Sequence, residues 1–173
     1  MVIYLVRHAE AVERSEGLDD GVRWLTRKGR KATQKAGSRL HRKRVRPDLL
    51  ITSPLTRAVQ TAELLTAALG ERTELIADSG LAPDATLEQL IALITSRRKL
   101  GSIMLVGHEP LLGQAAALLL GREEVTGLAK GGCLCLELRD KPDKPARFLW
   151  YAPVSGKLIS SAKKALVPKP QPA

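Results

Sequence analysis

The chain has 173 residues, 44% of them hydrophobic and 3% aromatic, so it is long enough to bury one core, and Leu, Ala, Val and Ile must fill it. Its 28 Lys and Arg against 18 Asp and Glu leave a formal charge of +10, which favours anionic partners by long-range attraction without choosing among phosphate esters, acidic proteins and nucleic acids. The sequence opens without a basic n-region, long h-region or small-residue cleavage site, and its longest apolar stretch, around Ala115 to Leu120, is far short of the roughly 20 residues of a membrane span, so the expectation is a soluble, cytoplasmic protein.

Val2 to Val6 reads as a buried strand that delivers the charged pair Arg7-His8 at its C-terminal end. The polar segment Glu10 to Trp24 reads as a loop over that end of the sheet, and Thr26 as the N-cap of a helix to about Arg42. Much of the positive excess lies in Arg27-Lys28-Gly29-Arg30-Lys31 and in Arg39 to Arg46, which suits a solvated helix face and the loop after it. Leu49 to Thr52 is a second strand, broken at Ser53-Pro54. Leu55, Val59, Ala62, Leu65 and Leu69 then recur at helical spacing, with Ser53 as cap, Pro54 in the first turn and Gly70 as the stop.

Glu74 to Ala77 reads as an edge strand, Thr86 to Lys99 as a helix, and Ser102 to Val106 as another apolar strand. The almost wholly apolar segment Leu111 to Leu120 reads as a buried helix, and Leu134 to Leu138 and Arg147 to Tyr151 as later strands. Strands alternating with helices imply a three-layer α/β/α arrangement around a mostly parallel central sheet. Residues 161–173, basic and rich in proline, read as a tail that packs against nothing in particular. Cys133 and Cys135 point to one face of a strand and read as core thiols, since no second Cys pair or His cluster completes a metal site.

If the apolar strands are parallel neighbours, three strand ends converge, bringing together Arg7-His8, the segment Ser53 to Arg57, and Gly107-His108. Two of the three histidines directly follow apolar strands; the third, His41, lies at a basic helix end and reads as surface. Guanidiniums offer forked donors to phosphate oxygens and imidazole offers a nucleophilic nitrogen, so the set suits phosphoryl transfer without a metal. Each member alone has a plainer reading: Arg7 paired to an acidic neighbour, Arg57 on a helix surface, His108 satisfied near a turn.

Leu5-Val6-Arg7-His8-Ala9-Glu10-Ala11, Ser53-Pro54-Leu55-Thr56-Arg57-Ala58-x-Gln60-Thr61-Ala62 and Val106-Gly107-His108-Glu109-Pro110 resemble, in order, the three signatures of the histidine phosphatase superfamily, which has the phosphoglycerate mutase-like fold. The short length, the segment from Asp20 to Gly29 and Leu81-Ala82-Pro83 are most similar to the SixA-type phosphohistidine phosphatases. The resemblance implies a catalytic domain over residues 1–160, and a phosphatase in which His8 attacks phosphorus and is transiently phosphorylated. Arg7 and Arg57 would hold the phosphoryl oxygens, His108 would donate to the developing charge, Glu109 would join the substrate-binding set, and no cofactor or metal would take part. Its expected substrate is a phosphohistidine-carrying signalling or phosphorelay protein, met by a monomer with no membrane and no nucleic acid.

One departure bears on the substrate. Where larger members of the family place a Glu or Asp as general acid, this sequence has Gly80. An alkoxide leaving group needs a proton, whereas a phosphohistidine already protonated on its other ring nitrogen can leave as neutral imidazole, so the absence favours a nitrogen–phosphorus bond. Asp84, Glu88 and Glu10 stay open as displaced acids, which would permit a sugar- or nucleotide-phosphate phosphomonoesterase. A non-catalytic module gripping nucleic acid through Arg27 to Arg46 is a further alternative, supported by charge alone.

Overall fold

The computed structural model describes residues 1–70, 73–139, 141 and 144–166. Strands β1 (Val2–Arg7), β2 (Leu49–Thr52), β3 (Glu74–Ala77), β4 (Ser102–Gly107), β5 (Cys133–Glu137) and β6 (Arg147–Ala152) form one sheet in the order β3-β2-β4-β1-β5-β6. The first four in that order run parallel, and β5 and β6 close the other edge antiparallel. Helices α1 (Arg27–Arg42), α2 (Thr56–Leu69), α3 (Leu87–Ser96), α4 (Leu111–Leu119) and α5 (Ala162–Leu166) flank it, giving the expected α/β/α layering of the phosphoglycerate mutase-like fold. Among the described residues no helix is long and apolar enough to cross a membrane.

The period-two alternation of the strands divides the core. Ile3, Leu5, Ile51, Ile103 and Leu105 point to one face, where α3, α4 and Leu166 cover them. Tyr4, Val6, Leu50, Met104 and Val106 point to the other, against Leu40 of α1 and Ala58, Ala62, Leu65 and Leu69 of α2. Each fully buried Leu or Ile is worth about 1.5–3 kcal/mol relative to exposure. Cys133 and Cys135 lie free in the second cluster, where burial pushes the Cys135 thiol up to about 12, so both behave as core.

Helix starts largely follow the sequence. Thr26 caps α1 by accepting from the Gly29 N–H, and Thr86 and Gln89 form a capping box on α3. Gly29 also lets α1 dock directly on the chain after His8, because a β-carbon there would lie 2.1 Å from the Glu10 carbonyl oxygen.

Three expectations change. Ser53 does not cap α2: the N-cap is Leu55, without a side-chain bond, because the Ser53 hydroxyl is turned to His108. The third helix stops at Ser96 rather than running to Lys99. Ala162–Leu166, expected to belong to a tail that packs on nothing, forms α5 and buries Leu166, whose carbonyl accepts from Thr126 N–H; residues 167–173 lie outside the described residues.

Candidate active site

Because β2, β4 and β1 are neighbours, their C-terminal ends meet at one edge of the sheet, as in parallel α/β sites generally. His8 N–H donates to the Gly107 carbonyl at 3.0 Å and Ser53 N–H to the Val106 carbonyl at 2.9 Å, so the ladder continues into the site residues themselves. His8, Arg57 and His108 are all buried, and the two imidazole centroids lie 5.0 Å apart, tilted by 55°.

The His8 Nδ1 lies 2.7 Å from the Ala9 carbonyl oxygen, which can only accept, so Nδ1 carries the proton and Nε2 keeps its lone pair. Burial above all, with the charges of Arg57 and Arg7 behind it and the Ala9 bond opposing, lowers its pKa to about 4. A neutral imidazole with a free Nε2 is what a nitrogen nucleophile requires near neutral pH. Thr61 pins this turn to α2: its hydroxyl accepts from Ala9 N–H at 3.1 Å and donates to the Arg57 carbonyl at 2.7 Å. His108 is lowered to about 3, again by burial first and then by His8 and Arg57; its Nε2 is 2.8 Å from the Ser53 hydroxyl, whose oxygen accepts from Leu55 N–H, leaving the hydroxyl proton free to be donated to Nε2.

Two acidic residues set the two arginines. Arg57 donates from one terminal nitrogen to the Asp20 carbonyl at 2.6 Å and from the other to Asp20 Oδ2 at 2.8 Å. Asp20 Oδ1 is held in turn by Arg23 at 2.7 Å and Arg14 at 2.9 Å. Its bond to Arg23, with those to Arg57 and Arg14, keeps the carboxyl well below the usual range despite partial desolvation. Arg7 donates to the Leu128 carbonyl at 2.9 Å, while its buried Nε–H has no protein acceptor among the described residues. The Leu128 N–H donates at 2.8 Å to Glu109, whose other oxygen accepts from Gly113 N–H at 3.2 Å. Glu109 thus braces Leu128, the residue whose carbonyl holds Arg7.

One open pocket unites these groups. Arg7, His8, Arg57, His108 and Glu109 line it as the sequence led us to expect, together with Arg14, Arg23 and Lys130. The open acid candidates do not: Glu10 is paired with Lys28 and Thr26, each at 3.0 Å, and Asp84 and Glu88 are exposed beside or within the first turn of α3. Pro83 represents their segment on the wall. Gly80 is buried, and a β-carbon on it would lie 3.1 Å from Asp78 Oδ1 and 3.6 Å from Leu93 Cδ2. His41 is exposed beside Arg46, away from the site.

Sequence reasoning missed Asp20, which lies in a one-turn 3-10 helix, Asp20–Val22, within the segment read as loop. It also gave Ser53 the wrong partner. The only signal was the resemblance of the segment from Asp20 to Gly29, which carries no geometry.

The family model of the histidine phosphatase superfamily (branch 1) matches residues 3–82, the stretch that supplies His8, Arg7, Asp20, Ser53 and Arg57. The chain belongs to this superfamily. An uncharacterized protein of Picosynechococcus sp. is 37% identical over 126 residues, spanning 70% of this histidine phosphatase and 75% of the relative. Among solved structures, the protein histidine phosphatase SixA complexed with tungstate superposes with a TM-score of 0.80 at 22% identity, over 89% of this chain and 97% of that one. The alpha-ribazole phosphatase from Shigella flexneri gives 0.67 at 18% identity, over 98% and 100%. A mycobacterial glucosyl-3-phosphoglycerate phosphatase complexed with VO3 gives 0.65 at 19%, over 85% and 96%. At these identities the likeness is one of fold, and the fold is SixA-like.

Proposed function

We propose that this phosphatase hydrolyses phosphohistidine on a protein. His8 Nε2 attacks phosphorus in line, the substrate's nitrogen–phosphorus bond breaks, and the histidine side chain leaves with its electron pair as neutral imidazole, already protonated on its other nitrogen. Arg7 and Arg57 hold the phosphoryl oxygens, and His108 donates to the charge that accumulates on them. Water then attacks phospho-His8, releasing inorganic phosphate and regenerating the Nδ1-protonated imidazole.

The observation that carries the substrate class is the state of the acids. Among the described residues the pocket wall holds one carboxylate, Glu109, and both of its oxygens accept backbone N–H bonds. A leaving group that needs no proton fits such a wall better than an alkoxide does.

A substrate panel tests the reading. Purified protein should turn over phosphohistidine peptides with kcat/KM well above that for sugar phosphates, and rapid quench should trap phosphate on His8. Turnover of sugar or nucleotide phosphates with phosphohistidine left intact would replace this reading with a small-molecule phosphomonoesterase.

A further inference from the structure

Outside the pocket, the strongest unexplained feature is the charge of α1. Its first residues read Arg27-Lys28-Gly29-Arg30-Lys31, and no acidic residue occupies the first turn. A helix N-terminus already carries partial positive charge, so cations there are disfavoured and repel one another as well. Local pairing offsets little of this.

Arg27, Lys28, Lys31 and Lys35 form one wall of a groove whose other wall is Val154 and Ser155, in the loop after β6. Of these four cations only Lys28 is paired to a carboxylate among the described residues, through Glu10. The loop is fastened to α1 by Arg39, which donates to the carbonyls of Pro153, Val154 and Gly156. The groove is therefore built from two tied segments rather than from loose side chains.

It also adjoins the phosphoryl pocket. Lys130 lines that pocket, and the next residue, Gly131, donates its N–H to the carbonyls of Arg7 and His8. Gly131 is so close to the groove wall that a β-carbon on it would lie 2.8 Å from Val154 Cγ2. In the sequence the exposed Trp24 falls between Arg23, on the pocket wall, and Arg27, on the groove wall.

We propose that this groove binds an acidic segment flanking the phosphorylated residue of a protein substrate, with the exposed Trp24, in the segment that joins pocket wall to groove wall, giving an apolar contact. The proposal rests on the phosphoprotein reading above. Charge complementarity selects the occupant, and a single exposed aromatic side chain provides no stacking series of the kind that single-stranded nucleic acid uses.

Phosphohistidine peptides of equal length with either Glu/Asp-rich or Gln/Asn-rich flanks, their phosphoserine counterparts, and phosphoramidate test it. At low salt the acidic-flanked peptide should show a kcat/KM higher by about tenfold, expressed in KM and not in kcat, and the advantage should shrink as salt screens it. The double variant Lys31→Glu/Lys35→Glu should lose the preference while turning over phosphoramidate as the native protein does. Equal KM values for both flanks, or a preference untouched by the double variant, would overturn the proposal, as would an oligonucleotide that outcompetes a peptide set showing no preference. If phosphoserine peptides turn over and phosphohistidine peptides do not, the leaving-group reading falls, while the flank preference is still read on the phosphoserine pair.

Discussion

The two sides of the phosphoryl pocket are built in different ways. Arg7 ends a central strand and donates to the main-chain carbonyl of Leu128, a residue whose own N–H is fixed by Glu109. Arg57 sits in the first turn of α2 and is held by Asp20, whose carboxylate also gathers Arg14 and Arg23 on a surface loop. One arginine is set by a main-chain carbonyl, and the other, itself buried, by an ion-pair network whose outer members reach solvent, so the two sides should respond differently to mutation, salt and pH.

The largest effect ignores that asymmetry. His8→Ala should abolish turnover, by at least about ten-thousandfold, with the fold retained by circular dichroism and no trapped phospho-enzyme. Arg7→Ala and Arg57→Ala should each lower kcat/KM by about a hundred- to a thousandfold, since each removes donors aimed at transition-state charge.

The braces should separate the sides. Glu109→Ala leaves the Leu128 and Gly113 N–H groups without their acceptor and should destabilise the protein by about 1–3 kcal/mol in urea unfolding while also lowering kcat. Asp20→Ala should cost less stability, because the lost carboxylate is partly exposed and the main-chain carbonyl of residue 20 still accepts from Arg57, and should lower kcat/KM by about tenfold, with Asp20→Asn recovering much of it because the amide oxygen can still accept from Arg57. Equal stability losses in the two alanine variants would remove the distinction.

The smallest effect is on pH. His8 and His108 have folded pKa values of about 4 and about 3, below the ordinary 6.5. Both therefore stay neutral in the folded protein while the unfolded chain takes up protons. Stability from this source is complete above pH 6.5 and falls as pH drops towards 4 and then 3. Thermal unfolding should show the decline, and it should be shallower in His108→Gln. The rate of His8 phosphorylation should likewise fall with an apparent pKa near 4, not near 6.5.

Much of the site was legible because its residues follow strands. Arg7, His8 and His108 could be placed from apolar runs alone, since a buried parallel strand puts its next residues at the sheet edge whatever its neighbours are. Asp20 could not. One acidic residue in a polar loop looks like any other, and its value comes from Arg57, thirty-seven residues away in sequence. Ser53 was misread for a related reason: a Ser before Pro and a helical repeat has the local pattern of a cap, and only the proximity of β4 to β2 brings His108 within 2.8 Å of it.

By itself the sequence determined the six strands and the four longer helices, the alternation that gives the sheet two apolar faces, and the chemical types that reach the edge, because these depend on local periodicity and chain direction. The tertiary structure alone decided the sheet order, the tautomer of His8, the carboxylates that brace Arg7 and Arg57, and the exclusion of Glu10, Asp84 and Glu88 from the pocket wall. Those features depend on distances between residues far apart in the chain, and such distances exist only once the core has closed.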